Sequence, residues 1–487
     1  MERIRSANFK QRYEVAPPET IEKIHMATLR ILERTGVHVG SERVLKRLAD
    51  AGVKVDLTDN RARFAPEFVE EKLALTPSHF LAAARDETCD LDIGGGRSYL
   101  ATDGCPADVF DLDTGERRRT TKEDLHKLMI LADAMPEIGL VWTAMAANDV
   151  PISNRPLHEL LAKLTGTTKH IQQNSTYSEH GARGVLEMAK VVAGGAGELR
   201  RRPLLTNFQV CLSPLSWEEG HLDAMTTFAD AGIPVGFCCM DLAMASAPAS
   251  VAGTIVLANT EIVSGMVILE TLYPGHATFY VAFPTSIDAR DGNMEAGWGP
   301  EELLMQGACQ QLARRYGVPV TVGVGGTGAK VQNWQAGLQN ALSAFLASIQ
   351  PGDILSDAGT LYSSLIYSFE SFMLDAEIFG LLCDMWEGYD FSAETAGMKD
   401  ISEVGPGNHF LGQQHTRDHM RDFWMPKFFN RATWEDWGAQ GRPTPQDAAR
   451  EKVREILSTH ETEPLPDGMD EELQNIVAAY ELSDEDD

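Results

Sequence analysis

Eight short strand-like runs, separated by segments of helical periodicity, constrain this chain more than any other feature. They fall at Ser98 to Ala101, Leu140 to Ala146, Lys169 to Gln173, Leu204 to Leu212, Ile233 to Cys239, Ala277 to Phe283, Val318 to Val324 and Asp353 to Ser356. Helical patterns between them include Thr121 to Ala134, Ser178 to Val192, Trp217 to Ala231, Pro248 to Tyr273 and Pro300 to Tyr316, the last opening on proline and stopping at Gly317. The run Val318 to Val324 is rich in β-branched residues, lacks polar alternation and suits a parallel strand covered on both faces. Alternation of β and α over about this length favours closure into a (β/α)8 TIM barrel, an α/β fold, over an open doubly wound sheet.

Val318 to Leu346 shows the repeat most clearly: a buried strand pattern, a loop with Gly323, Gly325, Gly326 and Gly328, and then a helix. Trp334, Leu338, Leu342, Phe345 and Leu346 would share one face of that helix. In a β/α barrel the loop lies at the C-terminal ends of the strands, so Lys330, its one charge, is expected at the mouth. The loop is neither a P-loop, since Ala329 separates Gly328 from Lys330, nor a G-x-G-x-x-G fingerprint.

The N-terminal stretch reads as a helical region over 1–90, with patterns at Glu19 to Thr35, Val44 to Ala51 and Glu67 to Leu75. The barrel is expected over 91–386, and 387–487 as an extension packed on it. The apolar segment Val251 to Leu272 is interrupted by Asn259, Glu261 and Glu270, which argues for a buried helix over a membrane span.

Forty-two basic residues against 71 acidic ones give a formal charge of −29, which argues against nucleic acid as a partner. Seven cysteines form no paired framework, and the first residues lack the apolar core of a signal peptide, so a cytoplasmic location is expected. His415 and His419 share a helix face without an H-E-x-x-H motif, and no metal site is expected. Cys238 and Cys239 are adjacent and point to opposite faces of a strand.

Trp142, Phe208, Phe237, Phe279, Tyr280, Phe283, Trp334 and Tyr362 lie in or just after the expected strands. Two or three rings from such a set could enclose an alkylammonium by cation–π attraction, although any one ring could equally belong to the core.

The signatures APASVAGTIVLANTEIVSG (247–265), DARDG (288–292), GTGAKVQNWQAG (326–337), ESFMLDAEI (370–378) and EVGPGNHFLGQQHT (403–416) resemble, in order, the trimethylamine methyltransferase superfamily. The resemblance implies a β/α barrel that moves a methyl group from an amine to Co(I) cobalamin carried by a separate corrinoid protein. It also implies the branch without pyrrolysine, similar to glycine betaine methyltransferases, with a trimethylamine-type substrate as the alternative. A homo-oligomer is expected. The chain departs from the family pattern at Gly328 and Asn333, where an acidic residue is expected, and at Gln339, where Glu is common.

Demethylating a quaternary ammonium needs no proton donor, because the leaving nitrogen departs uncharged. The protein must position a desolvated methyl group and anchor the rest of the substrate. Candidate substrate-binding residues are Trp142, Phe208, Phe237, Phe279, Phe283, Trp334 and Tyr362 as rings. Lys330, Arg290 and His409 are candidate anion anchors, and Asp357, Glu370 and Asp241 could balance the ammonium. Asp124-Leu-His126-Lys-Leu-Met129 approaches the D-x-H-x-x-G lower-ligand signature of cobalamin proteins but has Met where glycine belongs, so the cofactor is expected on the partner. Two rival readings are a Schiff-base enzyme using Lys330 and a non-catalytic quaternary-amine binding protein.

Overall fold

The computed structural model describes residues 3–8, 13–102, 104, 106–295, 299–350 and 352–481. Eight parallel strands close into a barrel: β1 (Tyr99–Thr102), β2 (Ile138–Val141), β3 (His170–Gln173), β4 (Leu205–Val210), β5 (Val235–Cys239), β6 (Thr278–Ala282), β7 (Val320–Gly323) and β8 (Ile354–Ala358). Each strand pairs with its sequence neighbour, and β8 closes on β1. All eight expected strands are present.

The outer ring consists of α1 (Lys122–Ala134), α2 (Arg155–Gly166), α3 (Glu179–Ala193), α4 (Glu219–Ala231), α5 (Val251–Leu272), α6 (Pro300–Tyr316), α7 (Trp334–Ile349) and α8 (Phe369–Glu387). Their starts are locally encoded. Thr121 and Asp124 form a capping box on α1, Ser178 and Ser250 cap α3 and α5, and Pro300 sits at the first turn of α6.

The apolar α5 is enclosed on both sides, by the barrel within and by the N-terminal helix Pro18–Arg34 outside. Among the described residues it is the one helix long and apolar enough to cross a membrane, and it is mostly buried in the fold. Its polar residues are accommodated individually: Asn259 bonds Thr28, Tyr280 and Tyr316, Glu261 accepts from Ser213 and Leu215, and Glu270 accepts from the Gly275 amide.

The N-terminal region holds helices Pro18–Arg34, Glu42–Asp50 and Pro66–Leu73, but it is not wholly helical. Strands Val37–Val39, Lys54–Asp56 and Arg61–Arg63 form a small sheet completed by Ser216–Trp217. A hairpin of Phe80–Ala82 and Leu91–Ile93 places Phe80, Ala82, Leu91 and Ile93 in one apolar cluster with Tyr99, Leu140, Phe279 and Ile354 and so plugs the N-terminal end of the barrel. His170 of β3 ties this plug to the strands, with Nδ1 2.7 Å from the Ala83 carbonyl and Nε2 3.2 Å from Thr206 Oγ1. With one end closed, the other is the route to the interior.

The C-terminal helices return to the ring. Helix Pro445–Thr459 lies on α8 and α1, and Met469–Tyr480 lies on α2 and α3. His460 to Asp133 (2.8 Å) and Arg450 to Glu370 (2.8 Å) fasten the first of them.

Candidate active site

Alternation along the strands sends every second side chain into the barrel. Trp142 follows β2, Phe208 lies in β4 and Phe283 follows β6, so all three approach the open, C-terminal end. The Trp142 and Phe208 ring centroids are 5.1 Å apart at 52°, and Trp142 meets Phe283 edge-on at 6.2 Å. Trp142 and Phe208 are buried, and Phe283 is partly exposed. The indole Nε1 of Trp142 is buried and has no hydrogen-bond partner among the described residues.

Asp357 joins this group through an irregularity in β8. The register of β8 against β1 shifts between Leu355 and Ala358, and Asp357 adopts φ +82°, a left-handed conformation rare for a residue with a side chain. A bulge of this kind re-aims a side chain, and strained backbone concentrates at functional sites. Here the carboxylate faces the last residue of β7. A methyl group built on Gly323 would collide with Asp357 Oδ2 and would lie 3.3 Å from Phe283 Cδ1 and 3.4 Å from Gln306 Nε2. Glycine at 323 therefore makes room for the acid, the ring and the amide to share one corner.

Beneath the loops after β7 and β8, Asp375 of α8 accepts from the Gly359 amide (2.9 Å) and from Asn340 Nδ2 (2.8 Å). Burial pushes its pKa up to about 7. Trp142 is held comparably. Its amide donates to Thr102 Oγ1 (2.7 Å), the next amide donates to Asn174 Oδ1 (3.2 Å), and Lys163 Nζ donates to Thr143 Oγ1 (2.6 Å). The rings thus stand on loops fixed by buried polar contacts.

Several candidates lie elsewhere. Phe237 faces outward from β5, T-shaped against Trp217 at 5.4 Å and against Gly265 of α5, because its position has the opposite parity to Cys238. Phe279 does face inward, but at the plugged end, tilted at 38° against Phe80 with centroids 5.7 Å apart. Tyr280 points outward to Asn259. Trp334 is 83% exposed at the start of α7 and forms no part of the cluster. Tyr362 lies on the loop after β8, where its ring is covered by Lys330 Nζ at 4.3 Å.

The charged candidates divide in the same way. Lys330 is exposed on the loop after β7 and donates to the Gly328 carbonyl (2.8 Å), so it does not occupy the apolar pocket that a Schiff-base lysine requires. Glu370 accepts from Ser368 (3.0 Å) and pairs with Arg450, and it serves the α8 N-terminus and the C-terminal helix. Asp241 is buried just after β5 beside Glu261, and burial, with that neighbour, pushes its pKa up to about 8. Arg290 is 86% exposed and forks onto Asp288 of its own loop. His409 lies exposed in the C-terminal extension, outside the barrel.

His415 and His419 are neighbours, 4.4 Å between centroids, yet His415 bonds the Glu394 carbonyl and His419 pairs with Asp422. Among the described residues no group of three or more His, Cys, Asp or Glu side chains is placed to hold a metal. The Asp124–His126 pair is committed to the fold, since Asp124 binds Arg118 and caps α1 while His126 Nδ1 lies 3.2 Å from the Ala162 carbonyl. These residues do not suit a cobalamin lower ligand. The unusual residues of the β7 loop have structural partners as well: Asn333 caps α7, and Gln339 accepts from Thr327 and Gln335.

Sequence reasoning missed Gln306 and Asp375. An acid, Asp375, set with Glu377 in the otherwise apolar run FMLDAEIF was the available signal for the second.

A family model described as trimethylamine methyltransferase (MTTB) matches residues 3–482. The chain belongs to this family. It is 31% identical over 471 residues to a glycine betaine methyltransferase of Desulfitobacterium hafniense (strain Y51), covering 96% of this chain and 97% of that one. It is 28% identical to the trimethylamine methyltransferase MttB of D. hafniense (strain DSM 10664 / DCB-2), with 95% and 93% covered, and 27% identical to the MttB of Methanosarcina barkeri, with 94% and 93% covered. The crystal structure of the M. barkeri monomethylamine methyltransferase (MtmB) superposes with a TM-score of 0.52 at 12% identity, covering 92% of this chain and 90% of that one. That likeness supports the barrel fold alone. Membership makes the chain a methyltransferase of this family.

Proposed function

We propose that the chain transfers a methyl group from a quaternary trimethylammonium compound, glycine betaine or a close relative, to Co(I) cobalamin carried by a partner corrinoid protein. The observation that carries this reading is the convergence of Trp142, Phe208 and Phe283 with Asp357 at the open end of the barrel. Ring faces attract a cation that has no N–H to offer, and a carboxylate balances its charge without a hydrogen bond. A hydrogen-bonding site would have been built differently.

Cobalamin, when delivered, supplies the nucleophile. The chain's own residues hold the substrate. The rings and Asp357 desolvate and orient the trimethylammonium head so that one N-methyl faces the mouth, and the C–N electron pair leaves with the neutral amine. No general acid is required. Among the described residues the indole N–H of Trp142 has no acceptor, and a bound carboxylate would supply one. The plug at the other end leaves the mouth as the face for the methyl acceptor.

Similarity to the glycine betaine methyltransferase supports this substrate over a tertiary amine. Calorimetry against glycine betaine and against 3,3-dimethylbutyrate, which has the same shape with carbon in place of nitrogen, separates charge recognition from apolar fit. The proposal expects about tenfold or greater preference for the cation. Equal affinities would overturn it.

A further inference from the structure

The bulge that aims Asp357 is fastened from outside its own stretch of chain. Backbone groups of residues 357–359 take partners away from strand β1. The Asp357 carbonyl accepts from Thr360 Oγ1 (3.1 Å), the Ala358 carbonyl from Tyr367 Oη (3.0 Å) and the Gly359 carbonyl from the Ser368 amide (2.9 Å), while the Gly359 amide donates to Asp375 Oδ2 (2.9 Å). Thr360, Tyr367 and Ser368 belong to the connection between β8 and α8 and move with it. Asp375 stands on the body of α8.

The other Asp375 oxygen accepts from Asn340 Nδ2 (2.8 Å) of α7, whose small and polar side, Ala336, Asn340, Ser343, Ala344 and Ala347, lies against the barrel while Leu338 and Leu342 are exposed. Ser343 accepts from the Gly325 amide (3.0 Å) and donates to the Asn340 carbonyl (3.0 Å). A Cβ built on Gly325 would lie 3.7 Å from both the Asp357 carbonyl oxygen and Asp375 Oδ2. The β7 loop thus crosses the point where Asp375 meets the bulge.

A carboxyl group is a costly choice at this place. Leu100, Val324, Leu355, Ile378 and Phe379 line the same small cavity, and a polar group buried among them costs stability unless its hydrogen bonds are made. Replacing such a group and its contacts by apolar packing is often neutral or better, so stability alone does not call for the acid.

We infer that Asp375 is a positioning residue: by fixing the Gly359 amide it holds the left-handed turn at Asp357 that directs the Asp357 carboxylate to the substrate ammonium. The inference rests on Asp357 being the counter-charge in the reading above. Gly359 is only two residues from Asp357, and rigid peptide planes leave few torsions between them. A Gly359 amide turned toward a new acceptor would carry the Asp357 side chain out of the corner above Gly323, away from Phe283. Asp375 itself does not touch the substrate, so its effect passes through Asp357.

A double-mutant cycle on selectivity tests this. Calorimetry of the full chain gives the ratio of affinities for glycine betaine and 3,3-dimethylbutyrate, about tenfold or more in wild type on the reading above. Asp375→Leu is expected to reduce that ratio to about twofold or less, because both ligands still meet the rings while the Asp357 carboxylate has turned away. Asp375→Asn keeps an acceptor for the Gly359 amide and gains a donor that Asn340 Oδ1 accepts once the Asn340 amide is turned over, so its ratio is expected to stay within about twofold of wild type. In an Asp357→Asn background, Asp375→Leu is expected to change the ratio no further. A purely structural role would lower Tm and leave the ratio unchanged in the folded protein. If Asp375→Leu does not fold, Asn340→Ala removes the donor that orients Asp375 and is expected to lower the ratio about threefold.

A wild-type ratio in Asp375→Leu or in Asn340→Ala, a ratio lost in Asp375→Asn, or a further loss in the Asp357→Asn background would overturn the inference and leave the reading of the site intact. Equal affinities in the wild-type chain would overturn that reading and this inference together.

Discussion

Asp357 Oδ2 and the ring of Phe283 border the same small space above Gly323, so the negative charge and the aromatic face are presented to a ligand together. Replacing Gly323 by Ala puts a methyl group into that space and forces the carboxylate away. Gly323→Ala is expected to lose most methyl transfer, and Asp357→Asn to lower kcat/KM by about tenfold or more, with Tm near wild type in the second case. Measuring kcat/KM and Tm for both variants checks this; wild-type activity in Asp357→Asn would remove the acid from the site.

The two classes of ring respond differently to substitution. Trp142→Leu and Phe283→Leu are expected to weaken trimethylammonium binding by about 1 to 2 kcal/mol each. Phe237→Leu and Phe279→Leu are expected to lower stability by about 1 to 2 kcal/mol while affinity in the folded protein stays near wild type. Calorimetry beside thermal melts distinguishes them. Affinity lost equally in all four would mean that the cluster has no special role.

Glu370→Gln removes the partner of Arg450 without touching the rings. Faster proteolysis within helix Pro445–Thr459 is expected, with substrate affinity unchanged. A large drop in affinity would restore Glu370 as a substrate group.

The buried Asp241 gives a pH signature. Its folded-state pKa is raised, to about 8, by burial and by Glu261. The native chain keeps this proton while the unfolded chain releases it from about pH 4 upward, so this residue lowers stability as pH rises between about 4 and 8. Asp241→Asn cannot titrate. Its Tm relative to wild type is therefore expected to rise across that interval and to level off above it; parallel curves would contradict the assignment.

Much of the architecture was legible in local pattern, because strands covered on both faces must be continuously apolar, as in Val235–Cys239 and Thr278–Ala282. The site was legible only as an inventory. Periodicity gives the parity of a side chain within its strand, but Phe237 and Phe279 show that which parity faces inward, and at which end, depends on the plug and on strand register. The positive φ at Asp357 arises from a bulge that pairing with β1 creates, and no local pattern announces it. The face of α7 was readable as a stripe, whereas its direction was set by the small residues Ala336, Ser343 and Ala347, which allow close approach to the barrel.

The central claim is tested most directly by mixing the purified chain with glycine betaine and a corrinoid protein reduced to Co(I), then following the Co(I) absorbance while assaying dimethylglycine. The account predicts loss of the Co(I) band with dimethylglycine formed in equal amount, and neither change with Asp357→Asn on the same time scale. Co(I) that persists with glycine betaine, related betaines and trimethylamine alike, across several corrinoid proteins, would contradict it.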